Sequence, residues 1–344
     1  MKEQLVNNFK AIPEYQNLTA NQFFEEVVTE QQPIVIRGFA HDWPMVAAGK
    51  ISSNAFIDYL AKFYNGKKVT ISAAPPKANK RFFYNDDLTG FTFISAQERL
   101  DLFLKRLNEL SNTSLPGPAL SMQSALTDSF LPGLMQDNGT DFFTDVPARL
   151  WLGNEGVVDT HYDGTDNLAV AVAGRRRIIL FSPQQTSNLY PGPLEFTPAG
   201  VPVSLVDLRQ PDFERFPRFK TALQNAYSVE LAPGDALYIP MLWWHNVESL
   251  DKVNGLMNYW WNGSFAKEAT SPNFVDSMKI AILAMRDMTP KQRDAWRCLF
   301  DHYLFKQGVD PTSYIPKHQQ HILGELSPEY IVSIKEFFVK KWQQ

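Results

Sequence analysis

The stretch Leu168-Ala169-Val170-Ala171-Val172-Ala173-Gly174-Arg175-Arg176-Arg177-Ile178-Ile179-Leu180-Phe181 sets two short apolar runs on either side of a glycine and three arginines. Runs this short, bounded by turn residues, read as buried strands rather than helices. The pattern recurs at Leu150 to Leu152, Tyr227 to Leu231 and Ala236 to Ile239, with Gly and Pro between the runs. Many β-strands are therefore predicted from Asp145 to Asn262. Ala173-Gly174 is expected to make a hairpin turn and Ala232-Pro233-Gly234-Asp235 a second tight turn, giving antiparallel pairing. A β region of this length must hide its sheet edges, and a closed barrel or double-sheet jelly roll does so. The predicted core is placed at residues 146–265.

Working outward, residues 1–145 read as mixed α/β elements that flank and extend the core. Thr19-Ala20-Asn21-Gln22 has the form of a capping box, and Phe23, Phe24, Val27 and Val28 follow on one helical face, predicting a helix from about residue 20 to 29. Gln32 to Gly38 reads as a short buried strand ended by glycine. Residues 266–344 change to helical spacing. Thr289-Pro290 and Ser327-Pro328 each place a hydroxyl at an N-cap and proline at the first helical position. Ile331, Ile334, Phe337, Phe338 and Trp342 would form an apolar stripe on the last helix, to pack on the same chain or on a second subunit. The fold class is thus mainly β with flanking helices.

Composition narrows the function. Hydrophobic residues make up 44% and charged residues 20% of 344 positions, the profile of a globular chain. The formal net charge of -4 gives no general attraction to nucleic acid or anionic membrane, so neither is indicated as a partner. Clusters such as Lys67-Lys68 and Lys340-Lys341 are short enough to be solvated faces. The single cysteine, Cys298, excludes intramolecular disulfides and cysteine zinc sites. With no long apolar run and no basic n-region after Met1, the expected location is cytoplasmic. GxGxxG, P-loop, GxSxG and HExxH patterns are absent.

Two of six histidines stand in the β region with chemistry around them. His161 and Asp163, in Asp159-Thr160-His161-Tyr162-Asp163-Gly164, would point to one side by strand alternation. His245 follows Tyr238-Ile239-Pro240-Met241-Leu242-Trp243-Trp244, a return that a closed barrel allows. Two imidazoles and one carboxylate occupy one face of an octahedral ion and leave three positions open, as in non-haem Fe(II) oxygenases. The pattern alone is weak, and the β context strengthens it. His302, His318 and His321 fall in the helical region and are assigned no role.

From Arg149 to Gly263 the chain resembles the JmjC/cupin-like 2-oxoglutarate oxygenases, and within them most closely the asparaginyl hydroxylase that inhibits hypoxia-inducible factor. The likeness rests on His161-Tyr162-Asp163, Ile179-Leu180-Phe181-Ser182-Pro183, Leu189-Tyr190-Pro191, Pro211 to Pro217, Pro233-Gly234-Asp235 through His245, and Asn258-Tyr259-Trp260. It implies a double-stranded β-helix in which His161, Asp163 and His245 bind Fe(II), 2-oxoglutarate chelates the metal, and O2 takes the last open position. Decarboxylation to succinate and CO2 would then supply the oxidant that converts a nearby C–H to C–OH. Arg176 stands two residues after Gly174, where the family often has Lys, and would grip the far carboxylate of 2-oxoglutarate; a solvated basic hairpin is the alternative. Asn167 and Asn258 match asparagines near the co-substrate. Ser121 stands where the asparaginyl hydroxylase has Tyr, and Val158 where it has Thr.

Tyr84 and Trp260 are candidates for the substrate opening, and core packing explains either equally well. The resemblance further implies a protein or peptide side chain as substrate and homodimerisation through the C-terminal helices. Demethylation uses the same hydroxylation on an N-methyl carbon and stays open. So do a cupin that binds a metal and a partner or small ligand without oxidising anything, and a small-molecule dioxygenase or isomerase independent of 2-oxoglutarate.

Overall fold

The computed structural model describes residues 9–262 and 274–343. They fall into two compact units, divided after Phe274. The boundary expected between residues 265 and 266 lies outside the described residues.

The first unit contains fourteen strands: β1 (Lys10–Ala11), β2 (Glu14–Tyr15), β3 (Ile34–Ile36), β4 (Lys68–Ala74), β5 (Ile94–Arg99), β6 (Ala119–Leu126), β7 (Ala148–Gly153), β8 (Gly156–Tyr162), β9 (Asp166–Ala173), β10 (Arg176–Phe181), β11 (Tyr227–Leu231), β12 (Ala236–Ile239), β13 (Trp244–Ser249) and β14 (Asn254–Trp261). They form a five-stranded sheet, β1-β11-β10-β13-β8, and a nine-stranded sheet, β2-β3-β12-β9-β14-β7-β6-β4-β5. Strands β7 to β14 pass from sheet to sheet, except that β10 and β11 pair within the five-stranded one, and this winding is the double-stranded β-helix. The N-terminal strands extend each sheet at its edges.

Side-chain alternation explains the layers. On β9, Leu168, Val170 and Val172 join the core on the outer face of the nine-stranded sheet, while Ala169 and Ala171 face the other sheet. All eight β9 residues are buried because both faces are covered. The outer layer includes the helices Pro44–Ile51, Ser53–Ala61 and Leu100–Ser111. Gly49 permits one close approach, since a Cβ there would lie 2.6 Å from the Val172 carbonyl oxygen. On the five-stranded sheet, Ile179, Phe181 and Trp244 point outward and are covered by Leu189, Val206, Phe216 and Phe219.

Two readings need correction. Ala173-Gly174 is not a hairpin turn: β9 pairs with β12 and β14, and β10 with β11 and β13, so the chain crosses there from one sheet to the other. Gly174 supplies the left-handed turn at φ +64°. The turn at Ala232 to Asp235 likewise joins β11 to β12 across the sheets. The N-terminal helix forms with its capping box intact at Thr19 and Gln22, but Phe23–Val27 widens to π geometry inside it.

The second unit holds the helices Phe274–Met285, Pro290–Tyr303 and Pro328–Trp342. Thr289 and Ser327 cap the last two as expected. Among its described residues only Pro311 is buried. Ile331 and Ile334 are half-buried, Phe337 and Phe338 exposed, and the side chain of Trp342 lies outside the description. No described helix is long and apolar enough to cross a membrane.

Candidate metal centre

β8 and β13 lie side by side with His161 directly opposite His245, and the two rings stand 4.2 Å apart. Asp163 follows the end of β8, its Oδ2 3.7 Å from His245 Nε2. One ligand atom from each of the three residues lies within 4.8 Å of the others. All three are inside or at the edge of the barrel, where no solvated surface explains their meeting.

The backbone fixes which nitrogen each ring presents. His161 Nδ1 is 2.8 Å from the Asp159 carbonyl oxygen, and His245 Nδ1 is 3.0 Å from that of Trp243. A carbonyl only accepts, so each Nδ1–H donates, and Nε2 is the nitrogen each ring can present to a cation. Burial, with His245 alongside, pushes the His161 imidazole down to about 4, which keeps it neutral and able to bind a cation at pH 7. Two neutral imidazoles and a carboxylate suit Fe(II) and similar divalent ions.

The loops that carry the ligands are tied together. Leu242 N–H donates to the Asp163 carbonyl at 2.9 Å, and Met241 N–H to Asp166 Oδ1 at 3.1 Å. Asp166, buried, also accepts from the Tyr238 hydroxyl at 2.8 Å and from Asn262. Asp159, whose carbonyl orients His161, is gripped at both carboxylate oxygens by Arg81. These supporting residues were missed in the sequence, where a carboxylate next to an apolar strand was the available signal.

The cavity between the sheets is lined by the three ligands together with Asn167, Arg176, Asn258, Trp260, Trp151, Val158 and apolar residues from both sheets. Arg176 points inward with Ile178, as alternation requires, and is 6% exposed. Its neighbours point out and are paired, Arg175 with Asp251 and Glu230, Arg177 with Glu248. Arg176 has no carboxylate partner among the described residues, and its Nε has no hydrogen-bond partner. Burial pushes this guanidinium down to about 10, so it stays charged at neutral pH. Asn258 donates to Asn167 at 2.7 Å, and Asn167 to Asp163 at 3.3 Å, an amide relay ending on the metal-side carboxylate. Trp151 Nε1 and Trp260 Nε1 are also buried without partners, as is Asn258 Oδ1. Three of these four partnerless groups are donors, which fits an acceptor-rich occupant.

Two candidates sit elsewhere. Ser121 pairs with Gly153 and Ser72 in the nine-stranded sheet and does not line the cavity. Tyr84 is buried, donates to the Phe196 carbonyl at 2.8 Å and packs against Phe91 and Phe196, beside a separate surface groove. Trp151 is a lining residue not singled out in the sequence, although Leu150 and Leu152 on the opposite face would have signalled it.

A double-stranded β-helix with an inward His-X-Asp pair and a distant His defines the cupin-type metal fold. The family model of the cupin-like domain matches residues 20–267, and the chain belongs to that family. It is similar to tRNA wybutosine-synthesizing protein 5 of Gallus gallus, 25% identical over 277 residues, 73% of this chain and 76% of the relative. HSPB1-associated protein 1 of Homo sapiens is 29% identical over 256 residues, 69% and 49% of the two chains. Lysine-specific demethylase JMJ31 of Arabidopsis thaliana is 26% identical over 301 residues, 78% and 53%. The chain thus spans about half the length of the latter two.

Proposed function

We propose that this protein is an Fe(II)- and 2-oxoglutarate-dependent oxygenase that hydroxylates a protein or peptide side chain. The observation that carries the reading is the conjunction, in one cavity, of the His161, Asp163 and His245 cluster with Arg176, a buried cation lacking a counter-ion among the described residues. The metal and co-substrate, when bound, supply the oxidising chemistry. His161, Asp163 and His245 hold the metal. Arg176 binds the far carboxylate of 2-oxoglutarate in a two-point fork and replaces its water. Asn167 and Asn258 orient Asp163 and offer amide groups to the co-substrate. Trp151, Leu256 and Ile239 keep bulk water out of the cavity.

The relatives' names span a tRNA-modifying protein and a lysine demethylase, and we take a protein substrate from the resemblance to the asparaginyl hydroxylases. We also propose homodimerisation through the C-terminal helices, on the exposed Phe337, Phe338, Leu304 and Phe305, and a cytoplasmic location, on the single cysteine. An anaerobic titration of the Fe(II)-loaded protein with 2-oxoglutarate tests the central reading. The visible charge-transfer band of a chelated keto acid is expected. Stoichiometric iron without that band would favour a metal-binding cupin that takes another ligand.

A further inference from the structure

We propose that Arg149, stacked on Trp260, is the substrate-recognition residue of this cavity and takes the carboxylate of an acidic peptide side chain. The inference rests on the oxygenase reading for the cavity's role. Arg149 lies on β7 directly opposite Asn258 of β14, so the two share the sheet face that looks into the barrel. Asn258 bonds Asn167 on β9, and Asn167 bonds Asp163. Arg149 is thus two strands, about 10 Å, from the strand that reaches the metal-side carboxylate.

The guanidinium carbon stands 5.3 Å from the centre of the Trp260 ring, which lines the cavity. Its Nη1 donates to the carbonyl and hydroxyl oxygens of Ser124, at 3.4 and 3.2 Å. Ser124 reaches it through an irregularity in β6, at φ +53°. That anchorage uses one nitrogen and leaves the Nε and Nη2 edge without a protein partner among the described residues. A half-buried guanidinium held in place at one corner, with its two-donor edge free, matches a planar carboxylate. No carboxylate of the described chain fills that role, although Arg37, Arg81, Arg175 and Arg177 all have one.

Arg149 and Arg176 stand on opposite sheets, so a co-substrate held by Arg176 leaves Arg149 for a second anion. Among the described residues that line the cavity itself, Arg176 is the only Lys or Arg. One guanidinium beside the lining ring of Trp260 suits a single carboxylate, whereas a nucleic-acid backbone calls for several cations along a track.

The test uses the full chain loaded with Mn(II) and 2-oxoglutarate, titrated calorimetrically with two pools of capped peptides. One pool carries Asp or Glu at its centre, the other Asn or Gln. The acidic pool is expected to bind about tenfold more tightly. Arg149→Gln should bring the two pools to within about twofold, and Arg149→Lys should keep part of the preference, since it retains charge and loses the fork. Equal binding of the pools, no binding of either, tighter binding of an oligouridylate, or a preference that survives Arg149→Gln would overturn the proposal. A 2-oxoglutarate affinity that falls more than tenfold in Arg149→Gln would also overturn it, because Arg149 would then serve the co-substrate. If the unmodified protein binds no 2-oxoglutarate, the oxygenase reading fails at that first titration, and the peptide pools run on the Mn(II) protein still decide the role of Arg149.

Discussion

Replacing Arg176 by methionine should move two properties in opposite directions. Burial lowers the guanidinium from its ordinary value to about 10, which corresponds to about 3 kcal/mol spent in keeping it charged in the ligand-free protein. Methionine matches the arginine stem as far as Nε and keeps its apolar contacts in the cavity shared with Ile178 and Val247 at small packing cost. The ligand-free variant should therefore be more stable to urea, by about 1–3 kcal/mol once lost stem contacts are allowed for. The same change removes the partner of a buried carboxylate. Breaking such a pair costs about 3–5 kcal/mol, so 2-oxoglutarate should bind on the order of 10²–10⁴-fold more weakly. Urea unfolding of the ligand-free form and calorimetric titration with 2-oxoglutarate measure both. Lower stability with an unchanged 2-oxoglutarate affinity would refute the reasoning, because Arg176 would then be a structural cation satisfied within the fold.

His245→Ala and Asp163→Ala should each abolish stoichiometric Fe(II) binding, read by metal analysis after gel filtration, while circular dichroism keeps the β signature. Asp166→Ala strips acceptors from Tyr238, Met241 N–H and Asn262, and should cost about 2–4 kcal/mol in urea unfolding. Gly174→Ala should destabilise by more than about 1 kcal/mol, because its φ is +64° and its Cβ would meet the Val253 carbonyl at 2.4 Å; an unchanged midpoint would contradict that geometry. Sedimentation should show a dimer at micromolar concentration, and Phe337→Glu with Phe338→Glu should yield monomer; a monomeric parent protein would remove the proposed helix-mediated association.

Several strands of the β-helix, such as β9, β10 and β12, were legible as short apolar runs because both faces of the sheets are buried. The strands β8 and β13 that carry His161 and His245 are more polar, and the metal ligands were legible from the His-X-Asp spacing and the resemblance. What lay beyond the sequence was non-local. Gly174 announces a turn but not which strands pair across it, and a chain that alternates between sheets uses hairpin-like residues for a crossing. Ser121 was placed by correspondence with a tyrosine, and its strand lies one position beyond β7, with Trp151 nearer the cavity. Tyr84 has the aromatic bulk of a substrate wall, but its hydroxyl is committed to Phe196. The choice of Arg176 came from the resemblance, and strand alternation gave only its direction, which agrees with the pairing of Arg175 and Arg177 on the opposite face.

The bonds from Leu242 to Asp163 and from Met241 to Asp166 hold the ligand set assembled by the polypeptide alone. A ligand set already assembled favours whichever divalent ion its donor atoms prefer, and a bound ion would add to stability in proportion to its affinity. For two imidazoles and one carboxylate that order runs upward from Mn(II) and Fe(II) through Co(II) and Ni(II) to Cu(II). On the iron reading proposed above, iron is among the weaker competitors for this ligand set. Its occupancy would then follow the supply of free metal, and excess nickel, cobalt or copper is expected to displace it.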